Sequence, residues 1–197
     1  MAVSIGVRKP FEMEQRACES GPRVFEMRSA TCKPLLTISL LSFAAETVIV
    51  GGAMKTYEDP VVVEQAYRAP IETVWNAITK ADQMRQWYFG NIATFEPEVG
   101  FETRFDVECA DRVFPHVWKV TEAEAPARLV YDWSYDGYAG KSFVAFELSE
   151  QEGLTALRLT QTVTDDFSDD RAEFTRESCV EGWKWFIEDS LKMYLEQ

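Results

Sequence analysis

An α+β fold, a curved antiparallel sheet wrapped around a long C-terminal helix, is predicted by three features of the sequence. The first is a change of period: from Gly100 onward, five successive stretches alternate apolar and polar residues, as half-solvated strands do. The second is the spacing of those stretches. Turn signals at Pro126, Asp136-Gly137, Gly140 and Glu152-Gly153 separate them at hairpin distance, which makes the sheet a meander. The third is a stripe of Val180, Trp183, Ile187, Leu191 and Tyr194 at helical spacing, which needs a surface to cover. Helices and strands segregated along the chain give an α+β architecture.

The first strand is residues 61 to 68, VVVEQAYR, a β-rich alternating run ended by Ala69-Pro70. Pro70 then opens a short helix, since its fixed φ suits a helix start and its missing N–H is no loss there. Ile71, Val74, Trp75 and Ile78 form the apolar stripe of that helix, and Glu72, Thr73, Asn76 and Lys80 its wet side. Asp82 is placed as the cap of a second short helix, with Met84, Trp87 and Tyr88 on one face and Gly90 at its end. The next strand sets Phe101, Thr103, Phe105 and Val107 against Glu102, Arg104, Asp106 and Glu108. Further strands follow at about 113 to 121, 128 to 136, 141 to 149 and 154 to 164, and the closing helix runs from about Ala172 to Leu195. Asp165, Asp166, Asp169 and Asp170 lack the glycine and ligand spacing of a calcium loop and are assigned to the N-terminus of that helix.

Of the 197 residues, 20 are Lys or Arg and 33 are Asp or Glu, a net charge of −13. Such a chain is repelled by phosphate backbones and anionic lipid surfaces, so neither nucleic acid nor membrane is an expected partner. The acidity belongs to residues 54 to 197, which hold 28 of the acidic residues together with all six Trp and all seven Tyr. Residues 54 to 197 are therefore expected to form the domain, and residues 1 to 53 a poorly structured extension or sequence upstream of a start at Met54. The apolar run after Lys33 resembles a secretory core, but a long, partly acidic stretch precedes it and Glu46 interrupts it. Cys18, Cys32, Cys109 and Cys179 show no metal-ligand spacing and are read as free thiols of a cytoplasmic protein.

Five stretches in order, RAPIETVWNAITKADQMRQWY, VGFETRF, APARLVYDW, GLTALRLTQTV and EGWKWFIEDSLKMYLEQ, resemble the START-like helix-grip (SRPBCC) superfamily. Within it they resemble the domain of the activator of Hsp90 ATPase. The resemblance covers essentially all of residues 61 to 197 and implies a cavity between the concave face of the sheet and the C-terminal helix. Alternation turns Tyr67, Phe101, Phe105, Phe114, Trp118, Tyr131, Trp133, Tyr135 and Phe146 toward that space, with Trp183 and Ile187 above them and Trp87 from the second short helix. Gln65, Thr103, His116, Ser142 and Gln161 are the polar side chains on the same faces. Held apart, these surfaces would leave roughly 300 to 1,000 Å³ for a ligand; in full contact they form a solid aromatic core.

His116 is the single histidine and is expected neutral between Phe114 and Trp118. It serves as a general base only if a partner lies beside it, and no strand register supplies one. No catalytic residue, metal ligand or cofactor is assigned. Three readings remain: a binding module for a small apolar or aromatic molecule, with a stress or regulatory role; a protein that docks on an Hsp90-type chaperone; and a cyclase-like or hydrolase-like enzyme using His116 or a pocket acid.

Overall fold

The computed structural model describes residues 52–109 and 112–196. The extension expected over residues 1 to 53 falls almost wholly outside them. Six strands form one antiparallel sheet: β1 (Val61–Tyr67), β2 (Glu102–Cys109), β3 (Arg112–Glu124), β4 (Arg128–Tyr135), β5 (Lys141–Gln151) and β6 (Leu154–Asp165). Their order is β1-β6-β5-β4-β3-β2, so β2 to β6 is the expected meander and β1 closes onto β6. β1 and β2 are consecutive in the chain yet occupy opposite edges. The chain between them must therefore cross a face of the sheet, and it does so as α1 (Ile71–Thr79), α2 (Ala81–Trp87) and the segment after them.

Pro70 sits at the N-cap of α1, and Val74, Trp75, Ala77 and Ile78 bury its inner side. Asp82 is not the cap of α2; Lys80 holds that position without a side-chain bond, and Asp82 lies in the first turn, where a carboxylate still favours the helix dipole. The Trp87 indole donates to the Ala77 carbonyl (2.8 Å) and locks the two helices together.

The closing helix starts later and is less regular than its apolar stripe suggests. A 3-10 turn (Ala172–Phe174) leads to Thr175, whose hydroxyl accepts from the Ser178 N–H and caps α3 (Arg176–Lys184). A π-helical segment (Trp185–Ser190) then continues into α4 (Leu191–Leu195). Wider turns leave main-chain groups free for outside partners: the Tyr67 hydroxyl donates to the Ile187 carbonyl (2.8 Å). From the same segment the Ser190 side-chain hydroxyl donates to the Trp87 carbonyl (2.6 Å). These two bonds fasten the helix to β1 and α2.

The acidic run does not cap the helix. Asp166 accepts from the Thr56 N–H (2.8 Å), and Asp169 accepts from the Ala53 N–H (3.0 Å) and the Lys55 ammonium (2.9 Å). These bonds hold both carboxyls below the ordinary carboxylate range. They also pin residues 53 to 56 across the end of the sheet, where Ala53 and Met54 are buried. Among the described residues, the core thus includes Ala53 as well as Met54.

Candidate functional site

Register brings the inward aromatics into contact. Phe105 pairs with His116, His116 with Tyr135, Trp118 with Trp133, and Trp133 with Ser142 across β2, β3, β4 and β5. At one end of the sheet the crossing segment fills the space above them. The Tyr88 ring stacks on Trp87 (4.8 Å between centroids) and on Trp118 (5.4 Å), and its hydroxyl meets that of Tyr131 (3.3 Å). Phe95 stands edge-on to both Trp118 and Tyr131.

At the other end, toward the β2–β3 and β4–β5 turns, a cavity of about 140 Å³ remains between the sheet and α3. Val107, Phe114, His116, Trp133, Tyr135, Gln161 and Trp183 line it, as alternation and the helical stripe place them. Trp118, Tyr131, Phe105, Phe146, Thr103 and Ile187 point inward but are sealed in the packed end, and Phe101 is half-buried against Phe95. Tyr67 and Trp87 serve as the two fasteners already described. The space is therefore smaller than the 300 to 1,000 Å³ of a drug-sized site, because Trp87, Tyr88 and Phe89 occupy half of the groove.

Strand alternation misses the rest of the wall: Met54, Phe89, Phe167, Glu173, Phe174, Ser178, Cys179, Gly182 and Phe186. Phe186 was findable, since it lies three residues after Trp183 on the same helix face. Met54, Phe167 and Phe174 come from irregular segments and carry no period. They meet because the Met54 N–H donates to the Phe174 carbonyl (2.9 Å) and the Phe167 N–H donates to the Met54 carbonyl (3.1 Å). Gly140, at φ +106°, allows the Phe167 ring to lie against its backbone; a Cβ there would sit 2.3 Å from that ring.

Three polar features mark the cavity. Gln161 is fully engaged: its Oε1 accepts from the Trp183 indole (2.6 Å) and the Cys179 thiol (2.7 Å), and its Nε2 donates to the Ser142 hydroxyl (3.0 Å). Burial pushes the Cys179 thiol up to about 12, so it stays protonated. His116 is 4% exposed, and its Nδ1 lies 2.8 Å from the Phe114 carbonyl. A carbonyl only accepts, so Nδ1 carries the proton and Nε2 is an open acceptor. Burial lowers the imidazole to about 4, against a smaller opposing effect of that bond, and His116 is neutral at pH 7.

The third feature is the Trp133 indole N–H, which is buried without a hydrogen-bond partner. Burial holds the neighbouring Tyr135 phenol well above its ordinary range, partly offset by the Trp133 indole, but the two groups do not meet in hydrogen-bond geometry. Trp118 also has an unpartnered N–H, yet it is enclosed by rings and faces no cavity. Among the described residues Glu173 is the one charged side chain on the wall, and it is paired with Arg112 (2.9 Å).

Among the described residues no group of three or more His, Cys, Asp or Glu is placed to hold a metal ion, and no helix is long and apolar enough to cross a membrane. Cys179 is a free thiol, whereas Cys109 is disulfide-bonded, contrary to the expectation of free thiols throughout.

A curved sheet gripping a C-terminal helix around an internal cavity defines a START-like helix-grip domain. The chain belongs to the family described as activator of Hsp90 ATPase homolog 1-like protein, whose model matches residues 68–196. Among solved structures it resembles protein MLL2253 from Mesorhizobium loti, at 29% identity and a TM-score of 0.56 over 70% of this chain and 96% of that one. It also resembles DynU16, a protein of the dynemicin biosynthetic locus, at 26% identity and a TM-score of 0.57; the match covers 71% of this chain and 48% of DynU16. CV1439 from Chromobacterium violaceum shares the fold at 17% identity, with a TM-score of 0.59 over 71% of this chain and 98% of that one. Among curated proteins nothing matches.

Proposed function

We propose that this protein is a binding module that holds one small, mostly apolar ring in the cavity between the sheet and α3. Size supports this reading: an apolar cavity of about 150 Å³ is enough to hold benzene, and the space here is about 140 Å³. The observation that carries it is Gly182. A glycine inside a helix costs roughly 0.5 to 1 kcal/mol relative to alanine, and a Cβ built at Gly182 meets nothing within 4 Å. The missing side chain leaves open space on the cavity wall where any larger residue would improve the helix and fill the hole.

Toluene is a suitable probe. Its titration should give a saturable change in the fluorescence of Trp133 and Trp183 and a rise in thermal midpoint, because a ligand that binds only the native state stabilises it. Gly182→Leu should keep the fold, fill the cavity and abolish both responses. An unsaturable response, or one that persists undiminished in the leucine variant, would place toluene elsewhere and end the binding-module reading.

A further inference from the structure

We propose that the cavity selects a neutral single ring carrying a pyrrole-type N–H, which donates to Nε2 of His116. The inference rests on the binding reading above and specifies its ligand class. Nδ1 of His116 is committed to the Phe114 carbonyl and no other hydrogen bond engages the imidazole, so Nε2 is an acceptor without a donor. Among the described residues the sealed polar side-chain atoms without a partner are the indole nitrogens of Trp118 and Trp133 and Nε of Arg171. His116 Nε2 has no partner and is not one of them, so it keeps accessible surface, and the cavity is the space its ring lines. Its direction is fixed: the imidazole stacks on Phe105 (5.0 Å between centroids, 13° between planes), stands edge-on to Tyr135 and is held at Nδ1.

The other polar groups on the wall do not choose between ligands. Gln161 gives its oxygen to Trp183 and Cys179. The Tyr135 and Ser178 hydroxyls rotate and serve as donor or acceptor, whereas His116 Nε2 can only accept. A ring without a donor covers that lone pair and leaves it desolvated and unpaired. A pyrrole-type N–H pairs with it and brings no ring lone pair that needs a donor in return. Charge and size narrow the class further. Glu173, the one charged side chain on the wall among the described residues, is already paired with Arg112, so a charged ligand would enter without a free counter-charge. A cavity of about 140 Å³ admits one ring.

The test is calorimetric titration of the full chain at pH 7 with pyrrole, thiophene, pyridine and toluene. Pyrrole and thiophene are five-membered aromatic rings that differ in the N–H, and pyridine offers an acceptor in place of a donor. Pyrrole should bind about tenfold more tightly than thiophene, although thiophene is the less polar ring, and pyridine should bind more weakly than either. His116→Asn removes Nε2 and should shrink the preference for pyrrole over thiophene to less than about threefold while thiophene still binds. A preference undiminished in that variant would put the N–H elsewhere and overturn the proposal. Thiophene or pyridine matching pyrrole on the wild type would overturn it as well, and toluene binding in the same series would leave the binding module standing. Failure of every ring, toluene included, to bind saturably would sink both readings together. The wild-type ranking decides the matter even if the variant fails to fold.

Discussion

Acidification of the protein should destabilise it through His116. An unfolded histidine protonates near 6.5, whereas in the folded chain burial lowers His116 to about 4. Between those values the unfolded state binds the proton and the native state does not, so stability is fully present above pH 6.5 and falls as pH drops toward 4. A separation of about 2.5 units at 1.36 kcal/mol each gives a loss of roughly 3 kcal/mol by pH 4, of which about 2 kcal/mol is gone by pH 5. The groups facing His116 do not blur this window. Phe89, Phe105, Trp118 and Trp133 are not ionisable, and Tyr135 and Cys179 remain protonated because burial raises both. Asp166, Asp169 and Asp170 are held below the usual carboxylate value, so their contribution is lost only at still lower pH. Urea unfolding followed by tryptophan fluorescence at half-unit steps from pH 7.5 to 4.5 measures the slope. His116→Asn keeps an amide nitrogen in the place of Nδ1 and removes the titration, so its lower absolute stability does not matter; the readout is the difference in slope. Parallel curves for the two proteins would refute the assignment of His116 as a buried neutral group.

Replacing Gln161 with Leu strands the Trp183 N–H, the Ser142 hydroxyl and the Cys179 thiol at once, and should lower unfolding stability by about 2 to 4 kcal/mol in chemical denaturation; Gln161→Asn, one methylene shorter, should recover only part of it. A chain beginning at Gly52 should unfold at the same midpoint as the full chain when both are measured with reductant, which removes the Cys109 disulfide from the comparison. A chain beginning at Pro60 should lose about 2 to 4 kcal/mol, because it gives up the buried Met54 side chain and two main-chain bonds to Phe167 and Phe174. Equal midpoints for the chains starting at 52 and 60 would show that the segment around Met54 is dispensable.

The sheet was legible in the sequence because its information is local. Each strand from β2 to β6 announces its own inner face by period two, and the turns after β3, β4 and β5 carry a glycine or proline. Register follows from hairpin length, so the inward placement of His116, Trp133 and Tyr135 needed no knowledge of distant residues. Whether two inward faces touch is not local information. Phe105 and Trp133 stand on equivalent faces of their strands, yet Phe105 is covered by Phe89 and His116 while Trp133 borders the cavity. What separates them is the path of the chain between β1 and β2.

That path decides the site. The strand order forces residues 68 to 101 to cross the concave face, and the run Trp87, Tyr88, Phe89 at the end of α2 has enough aromatic volume to fill only the end of the groove it reaches. At the opposite end the wall is completed by side chains with no periodic signature: Met54, Phe167 and Phe174, gathered by main-chain bonds and by the acidic loop. The same loop residues that read in the sequence as helix caps are thus what closes the cavity. The one mark of that space carried by the sequence is a glycine inside α3, directly before Trp183. A helix that lies on a solid core gains from a side chain at every inward position, so a bare position beside the largest apolar residue of the stripe signals a space kept open.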